Sequence, residues 1–250
     1  MKQFLAIFFL LFSIAAQAQD AKAILKQATE LDKQLKAREA FEKYKEVLAA
    51  EPNNIAVLVR CTEFNCGWGS ADKSESNKKI YFQNALDYAS RAVAADSNNA
   101  DANYARALAA AKMTELDIEN KIKVDYVRQT KTYADKALAI NPKHAKANYI
   151  VGRWHFEVLT LSWAKKAAVK VFYGGLAKPD IDTAIAYMEK CRTYDQYFIL
   201  AYLDLAKAYN YNNQPAKSIE LLQKMAKLPN RNDTDAALKE EGSKMLEKML

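Results

Sequence analysis

Glycine, proline, cysteine and histidine are all scarce in this chain, which holds 6 Gly, 5 Pro, 3 Cys and 2 His among 250 residues. So few glycines and prolines fit an all-helical protein, in which tight turns are few. The two histidines, His144 and His155, stand at no zinc-binding spacing from a cysteine or from each other. The sequence therefore predicts no metal site.

Motifs that carry catalysis or hold a cofactor are missing as well. No nucleophile stands in a recognisable pattern with a base, and no glycine-rich loop follows a strand to cradle a phosphate. We interpret Gly67-Trp68-Gly69 and Gly174-Gly175 as turns between helices, and His155 as a packed residue rather than a catalytic base. These observations predict no catalytic residues, no cofactor and a protein that is not an enzyme.

A long apolar run occurs at the N-terminus. Lys2 precedes an apolar stretch over residues 4–16, which ends in the small-x-small pattern Ala16-Gln17-Ala18. This run is shorter than a bilayer span, which takes about 20 residues. The sequence therefore predicts a cleaved signal peptide over 1–18 and a mature chain over 19–250 with no transmembrane segment. We expect an exported protein of the Gram-negative periplasm, with a retained N-terminal anchor as the less favoured alternative.

Charge of one sign is not concentrated in long blocks. The net charge is +7, but basic side chains stand beside acidic ones along the predicted helices, as on solvated helix faces. This distribution, together with export, argues against nucleic acid as a partner. Lys165, Lys166 and Lys170 form a short basic strip that we interpret as solvated. Contact with an acidic partner or an anionic lipid headgroup is the alternative, and it leaves a peripheral membrane contact open.

The cysteine count is odd, so at least one thiol of an exported chain stays free or pairs between molecules. Cys61 and Cys66 are five residues apart, which places them on different faces if they share one continuous helix. A disulfide between them requires the helix to end between them. The pattern favours buried thiols over a bridge.

A helix-ending pattern recurs along the chain. It holds Asn or another polar residue whose side chain can accept from the first amides of the next helix, and three of its four occurrences also hold Pro, which lacks an N–H group. Its occurrences are Glu51-Pro52-Asn53-Asn54, Asp96-Ser97-Asn98-Asn99, Asn141-Pro142-Lys143-His144 and, more weakly, Leu228-Pro229-Asn230-Arg231. Each occurrence predicts a turn that stops one helix and caps the next.

The spacing of these turns resembles the 34-residue tetratricopeptide repeat, with small residues such as Ala28, Ala40 and Ser218 where paired helices cross. The resemblance predicts an all-α fold: a right-handed α-solenoid of about five tetratricopeptide-like helical hairpins in a single domain. The predicted units are 21–54, 55–99, 100–144, 145–198 and 199–232, followed by a capping helix over 233–250.

The middle hairpins are longer than the standard repeat. We predict that the extra residues lie between the two helices of a unit, at 67–77 and 115–124. In the fourth unit the first helix is predicted from Ala145 to about Tyr173, and Pro179-Asp180 opens the next helix. Asn232-Asp233 is predicted to cap the last helix, which protects the open end of the stack.

The fourth unit carries the most distinctive residues. Gly152 stands where a neighbouring helix can approach, Trp154 and Trp163 are interpreted as core residues, and Arg153 can pair with Glu157. The stretch 152–158 reads Gly-Arg-Trp-His-Phe-Glu-Val, and it is followed by Leu161-Ser162-Trp163 and by Ala184, Tyr187 and Lys190. Over residues 145–212 the chain resembles the repeat domain of the regulator of microtubule dynamics family. The resemblance implies a tetratricopeptide-like helical domain with a binding role.

The concave wall of such a stack is formed by the first helix of each unit, and it binds peptides or extended segments. The fifth, ninth and twelfth positions of a unit should face this wall. In the third to fifth units the predicted partner-binding residues are Tyr104, Tyr149, Arg153, Phe156, Lys207 and Asn210. The sequence predicts a protein-interaction scaffold of the cell envelope that binds a protein or peptide. The alternative is a lipid or small apolar ligand bound by the aromatic-rich long helix.

Overall fold

The structure, a computed structural model, describes residues 20–162, 166 and 178–250. The described residues are helical or in turns, with no strand among them. The predicted signal peptide, Trp163, Lys165, Lys170 and the Gly174-Gly175 turn lie outside the described residues.

Helices are joined by short turns along most of the described chain. In chain order they are α1 (20–33), α2 (Ala37–Ala50), α3 (Ile55–Ala71), α4 (Glu75–Ala95), α5 (Ala100–Met113), α6 (Asn120–Ile140), α7 (Ala145–Thr160), α8 (Ile181–Tyr194), α9 (Ile199–Tyr211), α10 (Pro215–Lys227) and α11 (Asp235–Glu247). Helices α3, α5, α7 and α9 begin at the first residue of the second to fifth predicted units. The predicted α-solenoid of helical hairpins is confirmed.

The hairpins stack in chain order and curve to one side. Helix α3 contacts α5, α5 contacts α7 and α7 contacts α9, so the first helices of successive hairpins form a continuous row. Among the described helices, α4, α6, α8 and α10 do not contact one another. The first helices therefore lie on the inner side of the stack, and the second helices spread along its outer side.

Side chains cap the helices at three of the predicted turns. The Asn54 side chain accepts from the Val57 amide at 3.2 Å, and the Asn99 side chain accepts from the Ala102 amide at 3.0 Å. At the third turn the Nδ1 atom of His144 accepts from an amide of α7, at 3.0 Å. These bonds satisfy amides that a helix start leaves without a partner, and they confirm the predicted capping role of the turns.

The prediction of a turn at Gly67-Trp68-Gly69 is wrong, because all three residues lie inside α3. Gly69 is needed there for close packing. A Cβ atom at this position would lie 2.4 Å from the ring of Phe82 on α4, well inside van der Waals contact. The extra residues of the second unit lengthen its helices, and α4 reaches 21 residues.

The predicted long helix of the fourth unit is also too long. Helix α7 ends at Thr160, and Leu161 has an extended backbone with φ −54° and ψ 140°. The Thr160 hydroxyl donates to the carbonyl of Glu157 at 3.1 Å. It thereby satisfies a carbonyl that the Leu161 amide would bind if the helix continued. Asp180 caps α8 as predicted, and its side chain accepts from the Thr183 amide at 2.7 Å.

The core confirms the small and large positions read from the repeat. Ala28, Ala40 and Ser218 are 0% exposed, and Trp154 is 4% exposed with its indole N–H on the carbonyl of Val127. Gly152 of α7 meets Ala184 and Met188 of α8 where the two helices pack. A Cβ at Gly152 would lie 2.7 Å from Met188 Cγ and 2.8 Å from the Ala184 carbonyl, which explains the glycine predicted at a close approach.

Helix α11 covers the C-terminal end of the stack, with Leu238, Met245, Leu246 and Met249 against the core formed by α8, α9 and α10. The predicted cap by Asn232-Asp233 is wrong. Thr234 precedes the helix without a capping bond from its side chain. The carboxylate of Asp235 instead accepts from the Arg231 and Asn232 amides at 2.7 and 2.9 Å, so this loop is shaped by a residue inside the helix.

Candidate binding groove

Charged side chains from four hairpins meet on the inner side of the stack, and we name Asp32, Arg60, Glu63, Tyr104 and Lys146 the groove network. The Arg60 guanidinium binds both Asp32 carboxylate oxygens at 2.6 Å and Glu63 at 3.0 Å. Lys146 and the Tyr104 hydroxyl donate to the other Glu63 oxygen at 2.5 and 3.0 Å. Helices α1, α3, α5 and α7 are thus joined through one carboxylate and its partners.

Glu63 is the centre of this network, with a side chain that is 13% exposed. Burial alone would raise the pKa of Glu63, but the charges and hydrogen bonds of Lys146 and Arg60 lower it to about 2. Burial and the neighbouring Glu63 charge raise the pKa of Tyr104 well above its usual value. At neutral pH Glu63 is therefore a carboxylate and Tyr104 is a neutral phenol.

Two overlapping cavities, of about 280 and 580 Å³, open beside the groove network. We call them together the groove. Charged and aromatic side chains line much of its wall, among them Arg60, Glu63, Lys146, Asp195, Tyr197 and Arg231. Lys146 is 34% exposed at its side chain, so its ammonium group is available to a ligand in the groove.

His144 forms part of the larger cavity and is held at both ring nitrogens. Because its Nδ1 accepts from the Ala147 amide, Nε2 carries the proton and donates to Asp101 Oδ1 at 2.9 Å. The hydrogen bond from His144 lowers the pKa of Asp101. The centre of the His144 ring lies 5.0 Å from the centre of the Tyr104 ring. His144 thus caps α7 and also forms a fixed part of the groove wall.

The loop between α10 and α11 borders the same groove, and we name residues 229–234 the strap. Arg231 lies 3.7 Å from the Asp195 carboxylate and 4.7 Å from the centre of the Tyr197 ring. Asp233, two residues later, accepts from the indole N–H of Trp68 on α3 at 3.1 Å. The strap thus runs from the C-terminal end of the stack to its second hairpin.

A second polar cluster lies nearer the C-terminus, and we name Tyr149, Arg153, Asp204, Lys207 and Glu241 the core network. The Tyr149 hydroxyl donates to Asp204 at 2.6 Å and accepts from Arg153 at 3.2 Å. Lys207 contacts Asp204 at 3.2 Å and Glu241 of α11 at 2.9 Å. Three of the six predicted binding residues, Tyr149, Arg153 and Lys207, therefore meet around one buried carboxylate. Arg153 also forms its predicted pair with Glu157, at 2.6 Å.

The other three predicted binding residues lie apart. Tyr104 belongs to the groove network, and it is only 4% exposed. Phe156 is half-buried and packs edge to face on Tyr211 at 5.8 Å. Asn210 is exposed near the C-terminal end of α9. The six residues thus belong to four separate places.

Several groove residues were not predicted, although the sequence carried a signal for two of them. Counting the fifth, ninth and twelfth positions in the first two units as well would have found Asp32 and Glu63. Arg60 and Lys146 are at other positions, and Arg231 lies outside the helices altogether. No local pattern identifies those three.

The cysteines take no part in the groove. Cys61, Cys66 and Cys191 are free and buried, and burial raises the pKa of each thiol to about 12. Buried thiols of this kind are poor nucleophiles. Cys61 and Cys66 lie on the same continuous helix, as their spacing allows, and pack in different parts of the core.

None of the described helices is both long enough and apolar enough to span a bilayer. Within the same described residues, no three His, Cys, Asp or Glu side chains come together as metal ligands would.

Comparison with known proteins supports the fold and identifies the family. The structure is similar to TTC0263, a thermophilic TPR protein of Thermus thermophilus, with a TM-score of 0.65 and 13% identity over 90% of this chain and 98% of that one. It is also similar to pilF of Pseudomonas aeruginosa, with a TM-score of 0.52 and 11% identity over 93% and 86% of the two chains. None of the curated proteins compared with the chain matches it. The family model described as Regulator of microtubule dynamics protein 1-3 matches residues 24–250, and the chain belongs to this family.

Proposed function

We propose that this protein is a non-enzymatic scaffold of the cell envelope that binds an extended segment of a partner protein in the groove. The observation that carries the proposal is the groove itself, an inner-surface cavity whose charged wall is assembled from four hairpins. Stacked helical repeats use such concave surfaces to bind extended segments. Export is supported by the apolar N-terminal run and its small-x-small end.

The groove suits a polar chain segment because its charges are already in place. Arg60 and Lys146 are oriented by Glu63 and Asp32, so a ligand orders little additional side-chain structure on binding. Tyr197 adds an aromatic surface that is 36% exposed. Tyr and Arg are frequent among the residues that contribute most to protein interfaces.

The alternative of an apolar ligand is less well supported by the groove. A lipid chain requires a cavity lined mainly by apolar side chains. Arg60, Glu63 and Lys146 would each lose hydration against an acyl chain without gaining a partner. We therefore favour a peptide as the ligand of this site.

The proposal is tested by partner capture from an envelope fraction. The variants compared with the native chain are Lys146→Ala with Tyr197→Ala, which changes the groove, and Lys244→Ala, which changes an exposed pair on α11. We expect the native chain and the Lys244→Ala control to capture the same partner, and the groove variant to capture at least tenfold less. Tyr149, one of the predicted binding residues, is unsuitable for this test, because its side chain is 2% exposed and a change to alanine would disturb packing.

Two outcomes would contradict the proposal. One is equal capture by the groove variant with a native circular dichroism spectrum, and the other is the absence of any specifically captured protein. Cell fractionation tests the proposed location separately, since the mature chain should appear in the periplasmic fraction without its first 18 residues.

A further inference from the structure

The strap makes two separate side-chain contacts with the inner side of the stack. At one end, Asp233 accepts from the Trp68 indole N–H at 3.1 Å. The next residue, Thr234, lies beside α3, where a Cβ at Gly67 would be 3.6 Å from its methyl group. This contact joins residues 165 apart in the chain, from the second hairpin to the start of the last helix.

The other contact involves the guanidinium of Arg231. This group lies 3.7 Å from the Asp195 carboxylate and over the Tyr197 ring at 4.7 Å. Arg231 and Asn232 also line the smaller cavity beside Arg60 and Lys146. The strap therefore occupies part of the surface that a ligand in the groove would contact.

The shape of the strap does not depend on these two contacts. Both the Arg231 and Asn232 amides bind the Asp235 carboxylate, and Lys239 donates to the Leu228 carbonyl. The loop is therefore held to α11 through its backbone, and its side chains are free to make or lose contacts with the groove.

The contacts themselves are of a kind that a competitor can displace. The Arg231 side chain is 56% exposed, and Asp233 is exposed. An exposed ion pair such as Arg231–Asp195 contributes little to stability, because water competes for both partners and salt screens them. At the Trp68 N–H, the carboxylate of a competitor can take the place of the exposed Asp233.

We propose that the strap is an internal substitute for the partner, and that the groove, together with the Trp68 indole, recognises an extended segment with a guanidinium followed two residues later by a carboxylate. Asp195 and the face of Tyr197 receive the guanidinium, and the Trp68 N–H receives the carboxylate. The inference rests on the proposed function and deepens it, since it names the chemistry of the bound segment. The partner binds by displacing the strap, so the strap lowers the apparent affinity of the groove.

The test uses a fluorescein-labelled peptide that copies residues 227–236, added to the full chain and followed by fluorescence anisotropy. The strap variant is Arg231→Gln with Asp233→Asn, which removes the charge from both side-chain contacts and keeps the backbone bonds to Asp235. The matched control is Glu240→Gln with Lys244→Gln, an exposed pair on α11 away from the groove.

We expect the strap variant to bind the peptide at least tenfold more tightly than the native chain or the control variant. A peptide with Gln at the position of Arg231 and Asn at the position of Asp233 should bind at least tenfold more weakly. Asp195→Asn also weakens the strap, because it removes the carboxylate that binds Arg231. It removes the binding site for the peptide guanidinium as well, so this variant should not bind the peptide more tightly than the native chain. The comparison shows whether tighter binding comes from recognition of the peptide or merely from a loosened strap.

Equal affinity for all protein variants, or no binding by a strap variant that melts like the native chain, would overturn the inference. A strap variant that fails to fold would also overturn it, because the strap would then be part of the core. Because the peptide comes from this chain, the result is independent of whether an envelope partner is captured. Failure to capture a partner and failure of the strap to act as a ligand are therefore distinguishable.

Discussion

The groove network and the core network use the same chemistry in two regions of one stack. In each, a buried tyrosine donates to a carboxylate that also binds a basic side chain: Tyr104 to Glu63, which binds Arg60 and Lys146, and Tyr149 to Asp204, which binds Lys207. The groove network borders open cavities, whereas the core network is joined to the last helix through Glu241. The same set of residue types thus forms a ligand-accessible wall in one region and a link between hairpins in the other.

The difference follows from what covers the row of first helices. Helix α11 contacts α9 and α10 and extends the core network outward. Within the described part of the chain, the strap crosses beside the groove network, and it does so with exposed side chains. We therefore expect changes in the core network to reduce the stability of the fold, and changes in the groove network to reduce ligand binding and to alter how stability depends on pH.

The largest expected effect is that of Asp204→Ala in the core network. Loss of this carboxylate leaves the buried Tyr149 hydroxyl without its acceptor and leaves Lys207 with only the exposed Glu241 as partner. Removing one member of a buried ion pair in this way costs about 4 kcal/mol. Urea unfolding followed by circular dichroism measures the change. A loss below about 1 kcal/mol would show that the core network does not hold the hairpins together.

The next effect is a loss of stability in acid that depends on Glu63. The pKa of Glu63 in the folded chain, about 2, is below its usual value of 4.5, so Glu63 stabilises the fold at pH values above about 4.5. This contribution is lost as the pH falls from about 4.5 to about 2. The shift corresponds to about 3 kcal/mol. Unfolding free energies of the native chain and Glu63→Gln, measured across this range, should converge as the pH falls. Parallel pH profiles would contradict the prediction.

A matched pair of smaller changes compares the two networks directly. Tyr149→Phe should cost about 2 kcal/mol, because it removes a short hydrogen bond to a buried carboxylate. Tyr104→Phe should cost about 1 kcal/mol, since Glu63 keeps Arg60 and Lys146 as partners. Thermal unfolding of both variants shows which change lowers stability more. A larger loss for Tyr104→Phe than for Tyr149→Phe would contradict the prediction.

The smallest effect is expected at the outer end of the core network. Glu241 is 55% exposed at its side chain and pairs with Lys207. Exposed ion pairs contribute about 0–1 kcal/mol, so Glu241→Ala should change the unfolding free energy by less than about 0.5 kcal/mol. A loss as large as that of Asp204→Ala would place the link to α11 in this exposed pair instead of in the buried carboxylate.

Local features of the fold were predictable because they depend on residues a few positions apart. The turns at Asn54 and Asn99 stop one helix and cap the next through bonds that span three residues. Trp154 and Gly152 were predicted to face neighbouring helices from helical spacing alone, and both do. The repeat and the family were readable from the same short-range patterns.

The groove required the tertiary structure, because its parts are distant in sequence. Lys146 meets Glu63 across 83 residues, and Asp233 meets Trp68 across 165, so neither contact leaves a periodic pattern. Gly69 was misread as a turn for the same reason, since the ring that requires a glycine there belongs to the next helix. The sequence by itself determined the order of the helices and the caps at Asn54, Asn99 and Asp180. Only the stacking of the hairpins decided which charges meet, because side-chain electrostatics depends on distances that folding alone creates.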